Sequence, residues 1–231
     1  MCGWPSTSDP GALLTSLRRQ PLLAVLRPTS SEQARCQLEQ LLAAGLVHVE
    51  LAVSPSPAWV EMVRELIAAF PAMRLGAASV CSADHLAAVD AAGLAYAVSP
   101  ILDRQLLELA QDLGLTLVPG VFTPTEIAMA VRAGAAAVKL FPASALGPGY
   151  WRSLAGPLGP LPFCIAAGGL RADDVPAWLA AGVDAVALGN SLFVDGAATG
   201  ADGGSTPRLG SDLTALLTRL AAPADRQWLS T

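Results

Sequence analysis

The run Ala135-Ala136-Ala137-Val138-Lys139-Leu140-Phe141 is apolar except at one position, and that position holds the only lysine among 231 residues; every other member of the 14 basic residues is an arginine. A short apolar run of this kind reads as a buried strand. Side chains alternate along a strand, so Ala137, Lys139 and Phe141 share one face while Val138 and Leu140 share the other. If the sheet closes on itself, one of those faces is the interior.

Working outward, the same unit recurs from Pro21 to Phe193: a short apolar run, then an amphipathic stretch of Ala, Leu and charged residues. The further strands are expected at Leu22–Leu26, His48–Val53, Arg74–Ala78, Tyr96–Val98, Thr116–Val118, Phe163–Ala167 and Ala185–Leu188, and the lysine strand at Ala137–Phe141. Helices are expected at Ser31–Ala44, Ala58–Ala69, Ser82–Ala92, Asp103–Leu113, Thr123–Ala133 and Ala172–Ala181. Ser31, Ser82 and Asp103 are candidate N-caps, and Thr123-Pro124-Thr125-Glu126 combines a cap, a first-turn proline and an acid at the third position. Gly45, Gly93, Gly114, Gly134 and Gly182 end helices just before the next strand. Eight strands alternating with helices give an α/β protein with a parallel sheet, either an open doubly wound sheet or a (β/α)₈ TIM barrel; the number and even spacing favour a single-domain barrel. It is expected to run from residue 21 to 193, after an N-terminal segment and lead-in helix (1–20) and before a flexible, Gly- and Ala-rich connector with a final helix near Ser211–Ala222 (194–231).

Composition agrees. Hydrophobic residues make up 53% and charged residues 14% of the chain, which suits a large core and excludes disorder over most of the length. No apolar run reaches the roughly 18 to 20 residues of a membrane helix. Residues 1–11 lack the basic start and apolar run of a signal peptide, so a cytoplasmic protein with no membrane partner is expected. Cys2, Cys36, Cys81 and Cys164 form no C-x-x-C pair, and His48 and His85 form no His-x-x-x-His cluster, so no metal site is expected and the thiols are read as free. A net charge of −5 without a basic cluster argues against nucleic acid; an anionic substrate would need a local site.

Several residues are candidates for such a site. An interior lysine loses solvation as a cation, which favours the neutral amine that attacks a ketone; the alternatives are a snorkelling side chain or a structural ion pair. Glu50 interrupts Val47, Val49, Leu51 and Val53 and shares a face with His48 and Ala52. A carboxyl deep in a barrel mouth can shuttle protons near neutral pH, or it can simply pair with Lys139 or Arg27. Gly168-Gly169 follows the seventh expected strand and Gly189-Asn190-Ser191 the eighth, the usual places of barrel phosphate loops. Arg27 ends the first strand, where a guanidinium could clamp a carboxylate. His48 is read as a packed strand residue, and Trp59, Trp151 and Trp178 as packing groups.

Set together, the segments PLLAVLR (21–27), VEL (49–51), GAASV (76–80), VSP (98–100), VPGVFTPTE (118–126), VKLFPASALGPGY (138–150), AAGGL (166–170) and GNSLF (189–193) resemble the 2-keto-3-deoxy-6-phosphogluconate / 4-hydroxy-2-oxoglutarate aldolase family, in particular its 2-keto-3-deoxy-6-phosphogalactonate branch. The resemblance implies a (β/α)₈ barrel, a homotrimer, no metal and no cofactor. It also implies cleavage of a phosphorylated keto sugar acid to pyruvate and glyceraldehyde 3-phosphate. It places the Schiff-base lysine on Lys139, the acid/base glutamate on Glu50, the strand-one arginine on Arg27 and the phosphate loops on Gly168, Gly169, Gly189, Asn190 and Ser191; Pro100 and Phe141 match pocket-wall positions. Where relatives have GAGTV, this chain keeps a hydroxyl at Ser79 but adds a methyl at Ala78. The threonine before the glycine pair in phosphogluconate-type members is Ala167, and an arginine four residues after the glutamate in some members is Ser54. The expected activity is therefore a class I lyase acting on a phosphogluconate- or phosphogalactonate-type substrate. The alternatives are a 4-hydroxy-2-oxoglutarate aldolase giving pyruvate and glyoxylate, a phosphate-binding barrel isomerase or synthase, and a non-catalytic ligand-sensing barrel.

Overall fold

The computed structural model describes residues 10–94, 96–194 and 208–221. A lead-in helix α1 (Pro10–Arg19) is followed by β1 (Leu22–Leu26), α2 (Ser31–Ala43), β2 (His48–Ala52), α3 (Pro57–Ala69), β3 (Arg74–Ala78), α4 (Ala83–Ala92), β4 (Tyr96–Val98), α5 (Arg104–Asp112), β5 (Thr116–Val118), β6 (Gly120–Val121), α6 (Pro124–Arg132), β7 (Ala137–Leu140), α7 (Pro148–Leu158), β8 (Phe163–Ala167), α8 (Val175–Ala180), β9 (Ala185–Leu188), the short strands β10 (Phe193–Val194) and β11 (Arg208–Leu209), and α9 (Ser211–Ala221). All pairings in the main sheet are parallel, in the order β5-β4-β3-β2-β1-β9-β8-β7-β6.

That order is a ring, because β5 and β6 are two halves of one segment broken at Pro119. Up to Val118 the segment pairs with β4; after Pro119 it pairs with β7, with Gly120 opposite Lys139 and Val121 opposite Leu140. The Lys139 N–H donates to the Pro119 carbonyl at 2.8 Å, and the Gly120 N–H to the Ile101 carbonyl at 3.1 Å. The eight expected strands thus close into a (β/α)₈ barrel, the fifth being longer and broken where proline offers no N–H to a ladder.

Alternation along each strand sorts the core into two groups. Leu22, Ala24, Leu26, Val49, Leu51, Val138, Leu140, Cys164 and Ala166 pack outward against the helices. Leu23, Val25, Ala78, Tyr96, Val98, Val118, Ala137, Phe163, Ile165, Ala167, Ala185 and Ala187 fill the interior. Leu13 and Leu17 of α1 belong to that inner group, so α1 is a floor across the N-terminal end of the barrel. It is fastened by Arg18, which pairs with Asp184 at 3.6 Å and lies 5.2 Å from the centre of the Phe163 ring. Ser16 contributes a hydroxyl 2.8 Å from His48 Nε2.

The local signals perform as their chemistry requires, with one shift of register. The N-cap of α2 is Ser30, whose hydroxyl accepts from the Gln33 N–H at 3.1 Å, rather than Ser31, which is the first helical residue. Ser82 and Asp103 cap α4 and α5, and Thr123 with Glu126 forms a complete capping box on α6. The five helix-ending glycines all have positive φ. Of the stretch expected as a connector, 195–207 lies outside the described residues; its ends pair as β10 and β11, and the Leu209 N–H donates to Gln40 Oε1 at 2.8 Å. Leu213 and Leu216 of α9 are buried in the outer core, so this helix is built into the body of the protein rather than peripheral to it. Among the described residues no helix is long and apolar enough to cross a membrane.

Candidate active site

The C-terminal ends of the strands surround a cavity of about 350 Å³, within the usual range for a small-molecule site. Lys139 reaches it from the interior face of β7 and is 6% exposed. Arg27, just past β1, Phe141, just past β7, and Gly168, Gly169, Gly189 and Ser191 line the same space, together with Val25, Ala167 and Ala187. Seven of the eleven residues singled out in the sequence therefore meet around one cavity. Glu50, Ser79 and Pro100 are not among its lining, and the Asn190 side chain lies outside the described part of the structure; its backbone opens the short turn Asn190–Leu192.

Glu50 is fully buried and neither carboxyl oxygen has a hydrogen-bond partner among the described residues. Burial pushes its carboxyl above the ordinary value, while the positive charges of Lys139 and Arg27 pull the other way. The ion pairs among the described residues, Arg18–Asp184, Arg64–Glu61 and Arg104–Glu108, do not include it. The purely structural salt bridge to Lys139 or Arg27 is therefore not formed, and the carboxyl stays within electrostatic reach of both cations.

The two glycine loops are shaped by contact with what lies behind them. At Gly168, with φ of 96°, a Cβ would stand 2.9 Å from the Phe141 ring; at Gly169, with φ of 74°, it would run into Ser144, whose Cβ would be 2.9 Å away. A side chain at either position would therefore meet both backbone strain and a wall. Ser191 donates to the Leu170 carbonyl at 2.9 Å and ties the loop after β9 to the loop after β8. Ser79 has φ of 64°, the one non-glycine left-handed residue among those described. Such conformations concentrate at functional sites. Pro100 sits where the chain passes β6 so closely that a Cβ on Gly120 would collide with its carbonyl group.

Two features escaped the sequence reading. Arg171 lines the cavity beside Gly169 and Leu170, and joins Arg27 and Lys139 to make the mouth locally positive on a chain of net charge −5. A basic residue two places after a glycine pair was the available signal. Ser144, in the short turn Ala143–Ala145, donates its N–H to the Gly168 carbonyl at 3.1 Å and so braces the first glycine loop. Among the described residues no group of His, Cys, Asp and Glu could hold a metal ion.

A parallel (β/α)₈ barrel with a cavity at this end hosts many chemistries, and comparison with known proteins narrows them. The family model described as KDPG and KHG aldolase matches residues 14–203. The 2-dehydro-3-deoxy-6-phosphogalactonate aldolase of Escherichia coli (strain K12) is 31% identical over 174 residues, covering 75% of this chain and 84% of that protein. A solved structure described as native KDPGal superposes with a TM-score of 0.72 at 27% identity, covering 91% of this chain and 97% of the other. The 4-hydroxy-2-oxoglutarate aldolase/2-deydro-3-deoxyphosphogluconate aldolase from TTHB1 superposes with a TM-score of 0.70 at 28% identity, covering 96% and 99%. The chain belongs to the KDPG and KHG aldolase family.

Proposed function

We propose that this protein is a class I aldolase that cleaves a 2-keto-3-deoxy-6-phospho sugar acid to pyruvate and glyceraldehyde 3-phosphate through an imine on Lys139. The observation that carries the reading is the single lysine of the chain, buried on the interior face of β7 and opening onto the cavity above a buried carboxyl. The Lys139 amine attacks the C2 ketone, and the resulting carbinolamine loses water to give a protonated imine. Loss of the C4 hydroxyl proton then breaks the C3–C4 bond: its electron pair passes into the imine as an enamine, and C4 leaves as the aldehyde. Protonation at C3 and attack of water on the imine release pyruvate and restore the amine. Glu50, acting through a water, moves protons in these steps.

Arg27 supports the substrate carboxylate, with Ser79 and Pro100 at the same end of the barrel. The backbones of Gly168, Gly169, Gly189, Asn190 and Ser191 receive the phosphate. Phe141 walls the cavity. Ala167 on the cavity wall offers no hydroxyl, which supports the phosphogalactonate-type substrate. A 4-hydroxy-2-oxoglutarate activity is favoured by one observation: the Ser191 hydroxyl is already committed to the Leu170 carbonyl, which weakens one phosphate donor. Assembly as a trimer is supported by the resemblance and by exposed Ile101, Phe122 and Met129.

Borohydride reduction in the presence of pyruvate, followed by intact mass and peptide mapping, tests the mechanism. A reduced pyruvyl adduct on Lys139 is expected; a folded protein that yields none overturns it. Comparing turnover of the phosphorylated sugar acid with that of 4-hydroxy-2-oxoglutarate separates the two substrates.

A further inference from the structure

Glu50, Gly76 and Tyr96 stand side by side on three neighbouring strands. Glu50 is opposite Gly76, and the pairing of Ala77 with Ala97 sets Tyr96 beside Gly76 on the other side. A Cβ on Gly76 would collide with Cζ of the Tyr96 ring and stand 2.6 Å from Cε1 and Cε2. Cζ is the carbon that bears the hydroxyl. The ring therefore crosses the barrel interior over the one residue that leaves it room, with its polar end leading towards β2 and Glu50.

The hydroxyl arrives unpaired. Tyr96 Oη, both Glu50 oxygens and His48 Nδ1 are buried without a hydrogen-bond partner among the described residues, in an interior otherwise filled by groups such as Val25, Ala78 and Val98. An atom of this kind left unsatisfied is costly, and such groups are normally answered by one another or by an internal water. A donor and an acceptor that approach over Gly76 without touching leave a place for one water between them.

We propose that Tyr96 is a positioning residue for the Glu50 acid/base, its hydroxyl and the Glu50 carboxyl together holding one internal water. The proposal rests on the role given to Glu50 above. The charged and titratable groups facing Glu50 are Arg27 from β1, Lys139 from β7, Tyr96 from β4, His48 one layer down on its own strand and Arg74 one layer down on β3. Burial holds the Tyr96 phenol well above its ordinary value, so it remains a donor throughout the working range. A donor favours the ionised carboxyl, against the burial that favours the neutral one.

The chain has 2 tyrosines, so labelling with 3-fluorotyrosine gives a two-line ¹⁹F spectrum in which Tyr150→Phe assigns Tyr96. The Tyr96 line is expected to titrate with the midpoint of the acid limb for deuterium exchange at the pyruvate methyl, and to lose that titration in Glu50→Gln. Tyr96→Phe should raise the exchange midpoint by about one pH unit, the worth of a hydrogen bond to a charged group, with KM for pyruvate unchanged within about twofold, and should add nothing in the Glu50→Gln background. A flat Tyr96 line, an unshifted midpoint in Tyr96→Phe, or an equal effect with Glu50→Gln overturns the proposal. If Tyr96→Phe does not fold, the fluorine titration decides alone. Failure of the wild type to trap pyruvate on Lys139 would instead defeat the aldolase mechanism, a separate result.

Discussion

The Lys139 amine stands 5.3 Å from the centre of the Phe141 ring, two residues further along and just past the end of β7. The ring that covers the amine also sets the position of Gly168, since a Cβ there would touch it at 2.9 Å. One aromatic side chain thus links the proposed nucleophile to the first glycine loop. Phe141→Leu keeps the apolar cover and removes the ring, at a cost of about 0.5–2 kcal/mol for the lost cation–π contact. The expected loss in kcat/KM is about twofold to thirtyfold, measured by steady-state kinetics.

Lys139→Met should abolish borohydride trapping and lower kcat by at least about 10³-fold. The same change replaces a buried cation by an apolar chain of similar length, which is often neutral or stabilising. Calorimetry is expected to show an unchanged or raised Tm, distinguishing lost chemistry from lost structure.

Glu50→Gln should lower kcat by about 10²–10⁴-fold, the usual range for a general acid or base. Its effect on stability follows from the raised carboxyl. A group whose folded value lies above its unfolded one contributes stability below the unfolded value and loses it as pH rises through the folded value. The Gln variant should therefore be less pH-sensitive than wild type over that window and more stable at neutral pH, as urea unfolding at several pH values will show.

His48 behaves oppositely. Burial first, and the charge of Arg74 second, lower it from 6.5 to about 4. Its contribution is present above pH 6.5 and is lost as pH falls through about 4, amounting to about 3 kcal/mol across the window. His48→Leu should flatten this part of the stability curve relative to wild type; identical slopes in urea titrations between pH 4 and 7 would contradict the assignment.

Arg171→Ala tests the cation that lines the cavity beside the glycine loop. KM for the phosphorylated substrate is expected to rise about tenfold, with kcat nearly unchanged, since the proposed phosphate end lies remote from the bond that breaks. The unphosphorylated 4-hydroxy-2-oxoglutarate should show little change in the same assay.

The parts of this fold that were legible in the sequence are those whose signal is periodic. Lys139 and Glu50 each interrupt a run that is otherwise apolar, and alternation grouped each with its neighbours on one face without saying which face is the interior. The break in the fifth strand was not legible, because Pro119 and Gly120 punctuate the chain without revealing that it changes partner there. Helix α7 was missing from the expected helices: Gly149, Gly156 and Pro157 give it the composition of a loop, while Trp151 and Leu154 bury its face. The β10–β11 pair is two residues long on each side and separated in sequence, too little for any pattern. Tyr96 hid for another reason. A tyrosine at the start of a strand is ordinary, and only the register with Gly76 and Glu50 shows where its hydroxyl points.

Among the described residues, the floor made by α1 closes one end of the barrel and leaves the other open. Leu13 and Leu17 close the lower end, and Ser16 occupies His48 from below, so solvent and substrate share the mouth ringed by Arg27, Lys139 and Arg171. On the proposed imine mechanism, the water that hydrolyses the last intermediate shares its route with the departing aldehyde. On that mechanism the order of events is set by traffic as much as by chemistry: the first product clears the entrance before the second is set free.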